Sequence, residues 1–329
     1  NWGGGCNITS ESYGNEYRPF QTYVRNYDKK KQIKKVCCGA NIDDYYWTEG
    51  VLNTAFANTE DFVHGFMDYL SLHYYVHPEG WKIKGSATDF NDAVWYKTLY
   101  KALYMDTLVT QHGAIMDKYD PDKKIGMCVD EWGSWYTCEP GTNPGFLYQQ
   151  NTLRDALIAG ITLNVFNKHC DRVKIAALAQ MVNVLQAVIL TEGDKMVKTP
   201  TYHVMHMYRY HQGASLIESA VTGAGETGAG KWTVPKITES VSKDGEGIIT
   251  ITLNNLSIET AEGMEIKLAD NGYKVIEAKV VTNTDIHAHN TFEAPEQITE
   301  QEFTGYTEHE DHISVKLPAS SVTVLRVKK

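Results

Sequence analysis

One stretch of the sequence indicates the fold class of this chain most directly: Ile125-Gly126-Met127-Cys128-Val129-Asp130-Glu131-Trp132-Gly133-Ser134-Trp135-Tyr136. Its first five residues are apolar or small, which predicts a buried strand. Two acids and then two tryptophans follow, so the carboxyl end of that strand is expected to present a carboxylate to a pocket lined by aromatic rings. In a (β/α)₈ barrel the catalytic groups lie at that end of the strands. An acidic turn after an ordinary core strand is the alternative interpretation.

Aromatic rings beside a carboxylate suit a sugar, because flat rings stack on its apolar C–H faces while the acid acts on the anomeric carbon. Glycoside hydrolysis normally requires two carboxyl groups, which in a retaining enzyme lie roughly 5 Å apart and act as nucleophile and general acid/base. Glu131 can supply only one of them. Asp130 is its rival as nucleophile, but side chains alternate along a strand. We therefore expect Asp130 to face the other way, with an orienting or structural role.

The chain opens on a Gly-rich segment, Asn1-Trp2-Gly3-Gly4-Gly5, with no initiator Met and no signal-peptide pattern. Because an ordinary N-terminus rarely has this composition, we expect the segment to be a loop from a longer protein. It follows no strand within this chain, so the glycines do not indicate a dinucleotide-binding loop, and no cofactor is expected.

The chain resembles the α-L-arabinofuranosidases of glycoside hydrolase family 51. The resemblance rests on Asp130-Glu131-Trp132, on His73-Tyr74-Tyr75 and on the opening Gly-rich segment. In that family an acid-Glu-Trp run carries the nucleophile, and the acid/base Glu closes a Gly-Asn-Glu motif directly before a segment like the opening one. The resemblance therefore implies Glu131 as nucleophile, with the acid/base one residue before Asn1 and so outside this sequence. This exact chain is then expected to be inactive on substrates that need acid catalysis.

A second copy of the Gly-Asn-Glu motif, Gly14-Asn15-Glu16, lies inside the chain. It belongs to a segment that resembles a helix, with Thr9 or Ser10 as N-cap. No apolar strand precedes Glu16, so this glutamate is not expected to be catalytic.

The resemblance also implies side chains that contact the sugar. His73 and Tyr75 are two residues apart on a predicted strand and therefore share a face, with the Tyr75 hydroxyl near the nucleophile. Gln180 matches a family glutamine that hydrogen-bonds a sugar hydroxyl. The alternatives are a barrel histidine, a core tyrosine and a glutamine with a protein partner. Trp135 and Trp2 are candidate sugar platforms, with ordinary packing as the alternative for each, as for Trp132.

The pattern of predicted elements is α/β, followed by an all-β part. Strand-like and helix-like segments alternate through residues 1–212, which we interpret as the second half of a (β/α)₈ TIM barrel, strands five to eight. Residues 213–329 show short period-two runs and predict a C-terminal β-sandwich. Predicted strands of the barrel part are 34–40, 69–75, 125–129 and 173–182, and predicted helices are 60–68, 90–118, 151–169 and 201–211. Half a barrel leaves open strand edges, so we expect the chain alone to be unstable or to pair with another copy or a missing fragment.

Composition excludes several function classes. The chain has 329 residues and a formal net charge of −10, which argues against nucleic-acid and anionic-membrane partners. No apolar run reaches the roughly 20 residues that span a bilayer. The six cysteines lack paired metal spacing, and reduced thiols in a cytoplasmic protein are expected. The histidines His203, His206 and His211 invite a metal interpretation, but no acid neighbours them in sequence, and no metal is expected.

The sequence thus predicts a retaining, exo-acting α-L-arabinofuranosidase that acts by double displacement on arabinan, arabinoxylan or arabino-oligosaccharides. The partner is an arabinose-containing saccharide, and a homo-oligomer is expected from the family. Two alternatives stay open: another retaining glycosidase of the same barrel clan, such as a β-xylosidase or endoglucanase, and a non-catalytic carbohydrate-binding fragment.

Overall fold

The computed structural model describes residues 7–57 and 66–329 of the chain. These residues form two compact units. The first contains the described residues up to Tyr75 together with Met105–Trp132 and His169–Ala177, and the second contains Val76–Tyr104, Gly133–Lys168 and Leu178–Lys329. This division differs from the boundary at residue 212 drawn from sequence, which stays a prediction.

A four-stranded sheet carries the apolar runs noted in the sequence. Its strands, in the order in which they lie in the sheet, are β1 (Val36–Asn41), β2 (Tyr69–Val76), β3 (Gly126–Ser134) and β4 (Val173–Leu178). Strands β1 and β2 are parallel, with Val36 opposite Tyr69 and Asn41 opposite His73. The observed architecture is therefore mixed α/β with a parallel sheet, as predicted at this coarser level.

Five α-helices accompany the sheets in the described residues: α1 (Ser10–Tyr23), α2 (Tyr45–Phe56), α3 (Asp92–Tyr119), α4 (Leu153–Lys168) and α5 (Pro200–Tyr208). The predicted N-cap of α1 is confirmed, since the Thr9 side chain accepts a hydrogen bond from the Ser12 N–H at 3.1 Å. Helix α2 was not predicted. The predicted helix 60–68 lies largely outside the described residues, and residues 66–68 are not helical.

Helices α1 and α2 approach each other at two glycines. A Cβ built on Gly14 would lie 2.9 Å from the Thr54 Cβ, and one built on Gly50 would lie 2.1 Å from the Ser10 Oγ. Close packing of two helices therefore explains the glycine of the internal Gly14-Asn15-Glu16 motif. Glu16 lies in the middle of α1 and not at the end of a strand.

A buried ion pair joins the ends of α3, β3 and β4 in the first unit. Arg172 donates from Nη1 to Asp120 Oδ2 at 2.8 Å and to the Ile125 carbonyl at 2.7 Å. Asp120 Oδ2 also accepts from the Ile125 N–H at 2.7 Å. Both charged side chains are almost completely buried, so each charge is compensated by the other.

The second unit is rich in antiparallel β-structure. One sheet has six strands, in spatial order β14 (Gln301–Glu302), β13 (Lys274–Thr282), β17 (Ser321–Lys328), β11 (Ile249–Asn255), β10 (Ile237–Lys243) and β7 (Ser215–Ile217). A second sheet has three, β12 (Glu262–Ile266), β16 (Ile313–Leu317) and β15 (Tyr306–Glu308). The second unit also contains two β-hairpins: β5 (Ile189–Glu192) with β6 (Lys195–Lys198), and β8 (Glu226–Ala229) with β9 (Trp232–Pro235).

One apolar cluster is shared by the six-stranded and three-stranded sheets. It includes Ile251, Val280 and Leu325 from the first and Val315 and Leu317 from the second. In β16 alternate residues are buried, which is the period-two pattern visible in the sequence, whereas every residue of β11 is buried. Burial of this cluster is the hydrophobic contribution that holds the β-rich part together.

No helix in the described ranges 7–57 and 66–329 combines the length and the apolarity that a bilayer-spanning segment requires.

Candidate active site

Strand β3 carries Glu131 at an unexpected position. The strand does not end at the acids but continues through Trp132 and Gly133 to Ser134. The prediction of a strand that stops at Val129 was therefore wrong in its end, and an acidic turn is excluded. Residues 126–129 are buried, whereas the side chains of Asp130 and Glu131 are 38% and 46% exposed. The two carboxylates are thus accessible groups held on a buried strand.

Strand β2 brings His73 and Tyr75 to these acids. The Tyr75 hydroxyl donates to Glu131 Oε2 at 2.9 Å. The imidazole of His73 lies between the two acids, with Nε2 at 3.0 Å from Asp130 Oδ1 and Nδ1 at 3.6 Å from Glu131 Oε2. The face shared by residues 73 and 75 was anticipated from strand periodicity.

Asp130 differs from its expected orientation. Neighbouring Cβ atoms leave a strand in opposite directions, yet both carboxylates reach the one imidazole of His73. The histidine side chain is long enough to contact one acid through each ring nitrogen. Asp130 is therefore part of this cluster and does not face away from it.

The electrostatics of the cluster favour one protonation pattern. Burial opposes the charged form of His73, but contact with Asp130 and the charges of Glu131 and Asp130 outweigh it and raise the pKa of His73. Burial and the Glu131 charge raise the pKa of Tyr75, so its hydroxyl stays protonated and acts as a donor. An imidazole whose charged form is favoured and a phenol that donates a hydrogen bond thus contact the carboxylates, an arrangement that orients the Glu131 side chain.

Trp135 belongs to the second unit, where its two neighbours in the chain are fixed. The Ser134 hydroxyl donates to Asp155 Oδ1 at 2.5 Å, and the Tyr136 hydroxyl donates to the same oxygen at 3.0 Å. The backbone N–H groups of Ser134 and Tyr136 donate to Gln186 and Gln149 side chains at 2.7 and 2.8 Å. All these groups are buried, so the backbone that carries Trp135 is held in one conformation.

Comparison with known proteins identifies the family. A family model described as the α-L-arabinofuranosidase C-terminal domain matches residues 130–321. The chain is 41% identical over 328 residues to an intracellular exo-α-L-arabinofuranosidase from Bacteroides ovatus, which covers 99% of this chain and 62% of that protein. The chain belongs to the α-L-arabinofuranosidases of glycoside hydrolase family 51. It spans only about 62% of the length of this relative.

Solved structures agree with this family. The crystal structure of the family 51 arabinofuranosidase from Xanthomonas axonopodis pv. citri matches with a TM-score of 0.92 and 40% identity, over 98% of this chain and 63% of that one. An α-L-arabinofuranosidase from Thermotoga maritima, solved as an arabinose complex, matches with a TM-score of 0.77 and 21% identity, over 98% and 63% of the two chains. At that identity the second match shows the fold alone.

The other residues considered for the sugar site of this arabinofuranosidase family differ in their exposure to solvent. Gln180 is exposed and lies beyond β4, which ends at Leu178 and not at residue 182 as predicted. A solvent-exposed amide can hydrogen-bond water. The position of Gln180 in an apolar run therefore does not require a sugar or a protein group as its partner. Trp132 is 1% exposed and is a packing residue. Trp2 lies outside the described residues.

The histidines considered as metal ligands have other contacts. His206 Nδ1 lies 2.9 Å from Glu300, an acid 94 residues away that no local sequence pattern could indicate. His211 contacts the Ser242 hydroxyl at 2.7 Å. Within residues 7–57 and 66–329, no group of three or more His, Cys, Asp or Glu side chains is arranged to hold a metal ion. The five cysteines in these ranges, Cys37, Cys38, Cys128, Cys138 and Cys170, are free.

Sequence reasoning missed two residues near Trp135. The ring of Trp81 lies 5.3 Å from that of Trp135, and the ring of His77 lies 5.6 Å from it. Burial and the nearby Lys84 and Lys101 lower the pKa of His77 to about 4. The signal that could have found Trp81 is a tryptophan in a Gly-containing turn directly after the predicted strand with His73 and Tyr75.

Proposed function

We propose that this chain carries the nucleophile of a retaining, exo-acting α-L-arabinofuranosidase that releases terminal arabinofuranosyl residues from arabinan, arabinoxylan or arabino-oligosaccharides. The observation that supports it is the contact of Glu131 with Tyr75 and His73, two side chains of the neighbouring strand. The names of the relatives support the same activity. The arabinose-containing saccharide is thus the proposed partner.

In the proposed reaction, the Glu131 carboxylate attacks the anomeric carbon, and the bond to the leaving oxygen breaks. The product of this step is a glycosyl ester, which water then hydrolyses with net retention of configuration. Tyr75 and His73 both contact Oε2 of Glu131 and would hold the carboxylate in line. A second, protonated carboxyl group must donate to the leaving oxygen.

Gln180 and Trp135 are proposed as sugar contacts, and both are at least partly exposed. Trp2 is proposed for the same role on the resemblance alone. We further propose that strands β1 to β4 correspond to strands five to eight of a (β/α)₈ barrel, that the catalytic part spans residues 1–212, and that residues 213–329 form a sandwich domain. A cytoplasmic location is proposed on the name of the intracellular relative.

Hydrolysis of an aryl α-L-arabinofuranoside tests the proposal, because an activated leaving group needs little protonation. Glu131→Ala is expected to lower turnover by a factor on the order of 10³ or more, since no other group forms the glycosyl ester. Added azide should restore turnover of that variant and give the arabinosyl azide of inverted configuration. Glu16→Ala, which alters the internal copy of the motif on exposed helix α1, should behave like the unaltered chain.

Equal loss in both variants, or an unaltered rate in Glu131→Ala, would exclude Glu131 as nucleophile. The exo mode is tested on linear arabino-oligosaccharides, where arabinose should be the first product. Shorter oligosaccharides released from the middle of the chain would contradict it.

A further inference from the structure

Ile42 has a backbone conformation that its own side chain disfavours. It follows β1 directly and has a φ of 55°, in the left-handed region. A branched Cβ crowds the backbone there, so the conformation is rare for isoleucine and costs free energy. Among residues 7–57 and 66–329, Ile42 is the one β-branched residue with a positive φ. Such a conformation persists only where neighbouring groups hold it, and strained positions of this kind cluster at functional sites.

Two hydrogen bonds hold the Ile42 backbone, one on each side of its Cα. The Ile42 N–H donates to the His73 carbonyl at 2.8 Å, and the Ile42 carbonyl accepts from His112 Nε2 at 2.7 Å. His112 lies in α3 and is 2% exposed. One residue therefore connects this buried histidine to the backbone of His73, whose imidazole contacts Asp130 and Glu131.

His112 is fixed in the tautomer that this contact requires. A carbonyl only accepts hydrogen bonds, so Nε2 carries the proton, and Nδ1 accepts from the Thr48 hydroxyl at 2.9 Å. Burial is the largest cause of change and lowers the pKa of His112, which favours the neutral ring. The Ile42 carbonyl and the charges of Asp43 and Asp44 oppose this effect. Both ring nitrogens thus have a partner, and the ring cannot turn without losing two hydrogen bonds.

Strand β1 is also irregular just before Ile42. Between Cys37 and Ala40 it contains one residue more than the opposite stretch of β2. A bulge of this kind bends the strand and is common next to active sites. A Cβ built on Gly39 would lie 1.6 Å from the Ser71 carbonyl oxygen, so the two strands approach each other closely here. The direction in which β1 ends is therefore set by this bulge as well as by the bonds of Ile42.

We propose that His112 is a positioning residue for the proposed nucleophile, because it holds Ile42 in the left-handed conformation and Ile42 in turn holds the backbone of His73. The position of the His73 imidazole between Asp130 and Glu131 then depends on a buried side chain of α3. The role of Glu131 rests on the proposed function, whereas the connection from His112 to His73 rests on the contacts of Ile42.

The titration of His73 tests this connection without turnover. It is followed by NMR of the imidazole nitrogens in the labelled 329-residue chain, with His73→Asn to assign the signal. In His112→Leu the pKa of His73 should fall toward the ordinary 6.5, because the two acids no longer contact the ring in the same geometry. His112→Gln keeps an N–H donor for the Ile42 carbonyl and should restore part of the raised pKa.

Ile42→Gly separates the strained backbone from other effects of His112. Glycine adopts a positive φ without strain, so His112→Leu should change the pKa of His73 less in Ile42→Gly than in the parent chain. The matched control is His211→Leu, since His211 is also a partly buried histidine with two hydroxyl partners, at 2.7 and 3.3 Å. It should leave the titration of His73 unchanged.

Kinetics on an aryl α-L-arabinofuranoside connect the geometry of His73 to the reaction. His112→Leu should lower kcat roughly tenfold and leave KM within about twofold, because a misplaced carboxylate raises the barrier of the chemical step. Circular dichroism and melting temperature show whether the variant is folded. If His112→Leu does not fold, Thr48→Val replaces it, because this change removes the hydroxyl that fixes the tautomer of His112 and should lower the pKa of His73 in the same direction.

The proposal is overturned if the folded variant leaves the pKa of His73 unchanged, if Ile42→Gly does not reduce the effect, or if His211→Leu has an equal effect. A parent chain that does not hydrolyse the aryl arabinofuranoside contradicts the proposed function, while the NMR titration still measures the connection to His73. Conversely, hydrolysis with an unchanged His73 titration in His112→Leu contradicts the connection alone.

Discussion

The Tyr75 hydroxyl is the group with the shortest described contact to Glu131, at 2.9 Å. A hydrogen bond to a charged group contributes about 1.5–3 kcal/mol. Tyr75→Phe removes only this hydroxyl, so we expect kcat/KM for an aryl arabinofuranoside to fall roughly 10- to 100-fold. Tyr69→Phe removes a hydroxyl at the start of the same strand and should leave the rate within about twofold. If the two variants have the same rate, Tyr75 does not orient the nucleophile.

The protonation of His73 makes the free energy of unfolding depend on pH, and the raised pKa of His73 fixes the direction of this dependence. Its pKa in the folded chain is raised above the ordinary 6.5, against the effect of burial, by Asp130 and Glu131. Protonated His73 therefore stabilises the fold fully below pH about 6.5, and this stabilisation is lost as the pH rises through the raised folded value. The difference in unfolding free energy between the parent and His73→Asn should be larger at pH 5.5 than at pH 8.5, as measured by urea titration.

His77 provides a control of opposite sign for that measurement. Its folded pKa is lowered to about 4, first by burial and then by Lys84 and Lys101, so its neutral form is favoured. The stabilisation from neutral His77 is present above pH about 6.5 and is lost as the pH falls toward 4. A His77→Asn difference in unfolding free energy that grows at low pH, as expected for His73, would contradict the lowered pKa of His77.

At the scale of elements, two helical glycines should respond in opposite directions to the same substitution. Gly50→Ala drives a methyl group to within 2.1 Å of the Ser10 Oγ in the α1–α2 contact, and overpacking of this kind costs about 1–3 kcal/mol. Gly113, inside α3, has open space where a Cβ would be, so Gly113→Ala should stabilise by about 0.5–1 kcal/mol through helix propensity. Urea unfolding measures both; a loss of stability in Gly113→Ala would show that α3 is packed more tightly than described.

The elements also show which features could be predicted from sequence. The apolar run before Asp130 predicted a strand, and period-two patterning predicted strands such as β12 and β16, because periodicity reports which face is buried. The end of β3 was missed because Ser134 is fixed by Gln186, a contact between residues 52 positions apart. The contact between the rings of Trp81 and Trp135 likewise depends on tertiary packing, which no local sequence pattern reports. His73 and Tyr75 could be anticipated because they share one face of a strand, whereas the turn that contains Trp81 could indicate this residue but not its partner.

For the whole molecule, the outer strands of the four-stranded sheet predict self-association. Among residues 7–57 and 66–329, β1 and β4 each pair on one side only, and each exposes an apolar side chain, Val36 at 43% and Ile175 at 38%. Open strand edges of this kind can pair with a strand of another chain.

We expect the purified chain to associate as concentration rises. The double variant Val36→Lys with Ile175→Lys should raise the dissociation constant at least about tenfold, since charges oppose edge pairing. Ile276→Lys is the control, because Ile276 is 50% exposed but lies at the irregularity between Val275 and Glu277 in β13, a strand of a different sheet. Sedimentation velocity decides: a concentration-independent monomer, or an equal effect of the control, would mean that these edges are not where copies of the chain meet.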